Sequence, residues 1–305
     1  MINIEKLKRL AMMLAAVLVV AACGDDANED NGGGQTNANR NIVTTDAAVA
    51  RLEFPHLRGG NSIVLVHRTS NTAYDPDRVN YSVEWDAEKK TQRWSCYTMH
   101  SGYTGNYNTR SEGYADDPQL PDGAYWPRSD WNGGGVYDHG HICPNADRKY
   151  AYDANRQTYY MSNMQPQYHR FNGYSNSGND RGEGLWVQME EKLRTWVPRA
   201  KTDTLYVCKG GTIDSASDII GKMKGKFIIP RYFFMAVLLK NSHGYRAVAF
   251  WAEQKNQWST NANLADYAIS IDELERKTGI DFFCNLPDNI ENSVESKVAL
   301  NVWGL

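Results

Sequence analysis

Residues 137 to 148 read Tyr137-Asp138-His139-Gly140-His141-Ile142-Cys143-Pro144-Asn145-Ala146-Asp147-Arg148, which puts two imidazoles, two carboxylates and a guanidinium into twelve positions. Packing alone does not ask for that mixture. The glycine permits close backbone approach and the proline ends regular strand pairing. A second unusual run follows, Ser162-Asn163-Met164-Gln165-Pro166-Gln167, then Phe171-Asn172, then a segment carrying Trp186 and Glu190. A histidine that accepts a proton, an amide oxygen that holds a divalent cation and a carboxylate behind it make a set suited to phosphodiester hydrolysis.

Such groups need a scaffold. Val79 to Trp85 and Arg93 to Met99 alternate apolar and polar positions around the polar turn Asp86 to Lys90, which predicts a hairpin central to a sheet. Val136 to Ile142 reads as a short strand and Thr158 to Ser162 as a second. Between Gly182 and Val197, Leu185, Trp186, Met189, Leu193, Trp196 and Val197 recur at helical spacing, and Pro198 closes the run. Trp186 and Glu190 stand four apart, on one face, with Glu190 at the edge of the apolar stripe. Leu205 to Cys208, Lys226 to Ile229, Phe233 to Leu239 and Ala247 to Trp251 read as strands of a buried sheet. Ser270-Ile-Asp-Glu273 is a capping box whose helix ends at Gly279. Strands and helices intermingle and hairpins outnumber crossovers, so the fold class is α+β, a mainly antiparallel sheet flanked by helices. The stretch from Ser101 to Gly135 is irregular and rich in Gly, Asn, Asp, Tyr and Pro; one that long inside a compact domain is more often functional than idle.

At the start of the chain, Lys6, Lys8 and Arg9 precede an apolar run, Leu10 to Ala22, that stops at Cys23. That pattern describes an export signal too short to span a bilayer, and Ala21-Ala22-Cys23-Gly24 resembles a bacterial lipobox with Cys23 as the lipidated residue. Residues 23–41 have almost no large apolar side chain and read as an acidic, Gly- and Asn-rich tether. The expected organisation is a signal at 1–22, a tether at 23–41 and a single folded domain at 42–305, exported and lipid-anchored to the cell envelope. The formal charge is −3, and removing residues 1–22 takes away Lys6, Lys8, Arg9 and Glu5, leaving −5. Nucleic-acid binders are usually basic, so that balance argues against such a partner unless local arginines outvote it.

Four further cysteines, Cys96, Cys143, Cys208 and Cys284, would allow disulfides in an exported protein, in any of three connectivities. Their spacing fits no zinc pattern. Cys143 lies two residues from His141, but a Cys/His nucleophile would leave the asparagine and glutamate motifs without a role.

Asp138-His139-Gly140-His141, Ser162 to Gln167, Asn172 and Trp186 to Glu190, in that order, resemble the signature of the DNA/RNA non-specific endonucleases of the ββα-metal (His-Me finger) superfamily. The likeness extends from the first hairpin to Asp272 to Phe283 and covers nearly the whole folded body. It implies His141 as general base, Asn172 as the direct ligand of Mg²⁺ with Mn²⁺ as a substitute, and Glu190 orienting metal-bound water. It also implies Asn163 holding local geometry through its amide, and Arg110 stabilising charge on the phosphoryl oxygens. The substrates implied are DNA and RNA, cut without sequence preference to leave 5′-phosphate ends. Asp138 is expected to orient its own loop, and Asp147 with Arg148 to form a local ion pair.

Two departures stand out. His139 occupies the place where the family usually has arginine, so phosphate binding there should be weaker or pH-dependent. Tyr174 to Gly184 looks like an insertion ahead of the helix, which leaves Glu183 and, more weakly, Glu191 as competitors of Glu190. Two other functions fit the same residues: a phosphodiesterase acting on small nucleotides, and a surface lipoprotein that binds nucleic acid with little or no catalysis.

Overall fold

Alternation along the strands sends side chains to two faces of one sheet. The computed structural model describes residues 36–44, 46–70 and 75–305. Its central sheet is built from β1 (Ser62–Arg68), β2 (Val79–Asp86), β3 (Thr91–Met99), β8 (Thr204–Gly211), β11 (Tyr232–Asn241), β12 (Gly244–Glu253) and β13 (Ala268–Ile269), in that spatial order and antiparallel throughout. Smaller antiparallel pairs are β4 (Tyr137–His141) with β5 (Met164–Tyr168), β6 (Tyr174–Ser175) with β7 (Gly182–Glu183), and β9 (Ile219–Met223) with β10 (Phe227–Pro230). The helices are α1 (Tyr152–Gln157), α2 (His169–Asn172), α3 (Leu185–Thr195), α4 (Ile271–Thr278), α5 (Asp288–Glu295) and α6 (Leu300–Trp303).

The period of two is plain in β11. Phe233, Met235, Val237 and Leu239 enter one apolar cluster with Leu185, Trp186, Met189 and Leu193 of α3. Phe234, Ala236 and Leu238 enter a second, with Ile271 and Leu274 of α4. The β4–β5 hairpin and α3 therefore cover one face, and α4 and α5 the other.

Three sequence expectations change. Thr158 to Ser162 is not a strand: the chain makes a 3₁₀ turn at Met161–Asn163 and the partner of β4 is Met164–Tyr168. The Asn163 side chain explains this, because its Nδ2 donates to the carbonyls of Thr158 and Cys143 and so replaces strand pairing there. The 226–229 strand lies outside the central sheet, pairs with β9 and loses register at Pro230, which has no N–H to donate. Residues 36–41, assigned to the tether, are bonded to the body: Asn37 Nδ2 donates to the Leu286 carbonyl at 2.8 Å, and buried Asn41 donates to Val49 and Pro55.

As expected, Ser270 caps α4 by accepting from the Glu273 N–H, and Gly279 ends it in the left-handed region. All four cysteines of the body are free thiols and buried, with Cys96 opposite Cys208 across β3 and β8. The proposed lipidation site Cys23 and the signal lie outside the described residues.

Candidate active site

The β4–β5 hairpin runs straight into α2, so one short unit carries Asp138, His139, His141, His169 and Asn172. Gly140 is required at its centre, since a Cβ there would come within 2.3 Å of the Gln167 side chain. Above the unit opens a cavity of about 760 Å³, lined by these five residues and by Arg110, Tyr114, Trp131, Asn145 and Val187.

The His141 ring is half-buried, and its Nε2 is closed off without a hydrogen-bond partner. Burial pushes it down to about 3; the His139 carbonyl opposes this, while the charges of Arg110 and Lys209 add to it. A neutral imidazole with an unused ring nitrogen is a proton acceptor. The edge-on Tyr159 ring, 5.2 Å away between centroids, holds it in place.

Asn172 is pinned through one end of its amide. Its Nδ2 donates to Asp138 Oδ2 at 3.0 Å, which leaves Oδ1 as the available donor atom on the cavity wall. The same Asp138 oxygen meets His169 Nδ1 at 3.0 Å. Asp138 thus does more than orient its loop: it fixes the rotation of Asn172. A neutral amide oxygen beside a carboxylate is a hard-oxygen set of the kind Mg²⁺ or Mn²⁺ takes.

His139 is held between two rings, Tyr114 at 3.8 Å and 10° and Trp131 at 4.3 Å and 17°. Burial, the main cause, pushes it down to about 4, with Asp138 pulling the other way. It is uncharged at neutral pH, so the expected partial charge on phosphate from this position is not available. Its stacking instead ties the 101–135 loop to the hairpin. That loop is anchored further where Thr109 N–H donates to Asn155 Oδ1 at 2.8 Å and where Ala115 pairs with Tyr160. Arg110, exposed in a 3₁₀ turn, is thereby brought onto the cavity wall.

The family profile described as DNA/RNA non-specific endonuclease matches residues 60–289. The chain belongs to that family. It is 31% identical to a nuclease of Nostoc sp. over 229 residues, covering 72% of this chain and 76% of that protein. It is 25% identical to a nuclease of Serratia marcescens, covering 71% and 77%. A chain of the solved EndoG/EndoGI complex shares the fold, with a TM-score of 0.55 and 18% identity over 73% of this chain and 87% of that one. The family makes the protein a hydrolase acting on nucleic acids, and its members generally use divalent metals, which the Asn172 and Asp138 oxygens suit.

In this nuclease the remaining sequence-derived residues separate. Asn163 is fully buried behind the hairpin: its Oδ1 accepts from the Cys143 N–H at 2.8 Å and its Nδ2 donates to the Cys143 carbonyl at 2.8 Å. It holds the strand end that carries His141 and does not touch the cavity. Glu190 departs from expectation. Its Oε1 accepts from the buried Lys209 Nζ at 2.7 Å and its Oε2 lies 3.3 Å from Arg194, so cations occupy both oxygens, and the cavity wall on this helix is formed by Val187. Arg194 continues the network to Asp147 at 2.7 Å, which replaces the expected Asp147–Arg148 pair; Arg148 bonds backbone carbonyls instead. Glu183 pairs its backbone in β7 and Glu191 is exposed, and neither lines the cavity. Burial lifts the Cys143 thiol to about 12, which removes it as a nucleophile.

Sequence reading assigned no role to His169 or Asn145, and it suggested the tyrosines and tryptophans of residues 101–131, Tyr114 and Trp131 among them, only as surfaces on which bases could stack. His169 precedes Asn172 by one helical turn, a spacing that would have paired them. The two aromatics sit in the irregular loop, and nothing in their spacing announced a stack with His139.

Proposed function

We propose that the protein hydrolyses phosphodiester bonds of DNA and RNA with little sequence preference, using His141 as general base and Asn172 as the ligand of Mg²⁺. The observation that carries this reading is that neutral His141, with an unpartnered Nε2, and the oriented Asn172 amide belong to residues lining one cavity. His141 accepts a proton from the attacking water. Arg110 binds the phosphoryl oxygens by charge-assisted hydrogen bonds and offsets the negative charge that grows there. Asp138 keeps the Asn172 amide in its orientation. Held by the Asn172 amide, a divalent cation would supply Lewis-acid charge at the phosphate and the departing oxygen. Glu190 acts at one remove, compensating Lys209 and Arg194 beneath the site. Contacts confined to phosphate and sugar give sequence indifference.

The test is digestion of supercoiled plasmid and RNA with Mg²⁺, Mn²⁺, Ca²⁺ or EDTA, with His141→Ala in parallel. Loss of cleavage in EDTA and in the variant is expected; a variant that cuts at the parent rate removes His141 from the mechanism. We also propose export and envelope anchoring through lipidated Cys23, supported by the basic and apolar run before it. Mass spectrometry of the mature amino terminus decides that point, and an unlipidated terminus other than Cys23 overturns it.

A further inference from the structure

On the sheet face away from the nuclease cavity, α4 and α5 turn apolar residues inward, Ile271 and Leu274 from one and Ile290 and Val294 from the other. Their remaining faces bring carboxylates together. Asp272 and Glu275, three apart on α4, and Glu295 on α5 each offer one oxygen, and these oxygens all lie within 4.8 Å of one another. Asp281 and Glu291 line the same cavity. Among the described residues no cation pairs with any of the five, because Lys277 and its neighbour Arg276 are both taken by Glu273 on the outer side of α4.

An exposed acidic cluster would need no explanation, since water would screen it. This one is different at Glu295, which is 5% exposed and whose Oε1 is buried without a hydrogen-bond partner. Burying a carboxylate oxygen with no donor costs free energy that a bound cation recovers. Asn39 adds a second orphan: its Nδ2 donates to Asp281 at 3.0 Å and Glu291 at 2.9 Å, while its Oδ1 is buried without a donor.

We propose that Asp272, Glu275 and Glu295 bind a Ca²⁺ ion that ties α4 to α5, separately from the catalytic cation. The oxygen spacing fits around one ion with the ~2.3–2.6 Å bonds of Ca²⁺, and an all-carboxylate set with room for water suits Ca²⁺ better than the tighter, octahedral Mg²⁺. The role is structural: the ion neutralises the repulsion between the two helices and fastens the C-terminal layer to the sheet.

The experiment is thermal unfolding of the purified protein, stripped with EDTA and titrated with CaCl₂ or MgCl₂. Saturating Ca²⁺ should raise the midpoint by roughly 5 °C, with a smaller response to Mg²⁺. Asn172→Ala should retain the Ca²⁺ shift, which assigns it to a site other than the nuclease cavity. Glu295→Gln should lose it while unfolding at a higher temperature than the parent in EDTA; Asp272→Asn carries the same expectation should the first variant fail to fold. Calorimetric titration of Asn172→Ala with CaCl₂ should give one ion per chain, and none once Glu295→Gln is added. No shift in the parent, a shift that persists in both carboxylate variants, a shift lost in Asn172→Ala, or an equal response to Mg²⁺ overturns the proposal.

Discussion

The two faces of the central sheet carry two polar clusters, and burial acts on them with opposite sign. In the nuclease cavity it pushes the imidazoles of His141 and His139 down, to about 3 and 4. Around α4 and α5 it pushes the carboxyls of Glu275 and Glu291 up to about 7 and that of Glu295 to about 10. In both places the neutral form is favoured, because the charged form loses its hydration. The consequences differ. A neutral imidazole is ready to accept a proton, whereas a carboxyl held neutral must give up its proton before it can ligate a cation.

The largest effect is expected at His141. Replacing it by Ala should lower plasmid cleavage in Mg²⁺ by about 10²–10⁴-fold while leaving the unfolding midpoint nearly unchanged. Retained activity would make the cavity histidine structural. Asn172→Ala should cost about 10²-fold or more and raise the Mg²⁺ concentration needed for half-maximal rate. Asp138→Asn, which loosens the amide without removing it, should cost roughly 10–100-fold; an effect as large as that of Asn172→Ala would give Asp138 a direct role.

Burial of His141 also shapes the pH profile. The base works in its neutral form, and its titration is displaced from 6.5 to about 3. The cleavage rate should therefore stay nearly level from about pH 5 to 8 instead of rising through the ordinary histidine range. A limb centred near 6.5 would return His141 to a solvated environment. At His139 the ring matters more than the nitrogens. His139→Phe should keep activity within about threefold, and His139→Ala should lose about 1–2 kcal/mol of stability with the stack; equal behaviour of the two would show that stacking does little.

The smallest effect is expected on the other face. A carboxyl raised above its ordinary 4.5 gives stability that is present below that value and lost as pH rises through the folded-state value, about 10 for Glu295. Glu295→Gln should accordingly stabilise the EDTA-treated protein at pH 8 by on the order of 1–2 kcal/mol, with the gain vanishing towards pH 4.5. The depressed histidines behave oppositely, giving stability above 6.5 that is lost as pH falls towards 3–4. A gain from Glu295→Gln that grew on acidification would contradict the sign assigned to the cluster.

Much of the protein was legible in one dimension. The alternation of β2, β3, β11 and β12, the capped helix α4 and the apolar stripe of α3 are local patterns, and local patterns follow from backbone period and side-chain type. The order of Asp138, His141, Asn163 and Asn172 pointed to the family for the same reason. What a side chain does after folding was less legible. Glu190 sits at the edge of the α3 stripe as its spacing requires, yet its partners Lys209 and Arg194 come from a distant strand and the next helical turn and take both its oxygens. The strand expected at 158–162 failed because Asn163 captures two carbonyls, one of them across the hairpin.

Which chemical groups are present, and which face of each element carries them, follows from local pattern, since periodicity and residue type need no distant partner. Charge states and neighbours arise on folding: His139 is sandwiched and uncharged, Asn172 is rotated by Asp138, and the carboxylates of Asp272, Glu275, Asp281, Glu291 and Glu295 line one cavity on the other face of the sheet. Desolvation and pairing depend on residues brought together from remote parts of the chain, and that information exists only once the chain has folded.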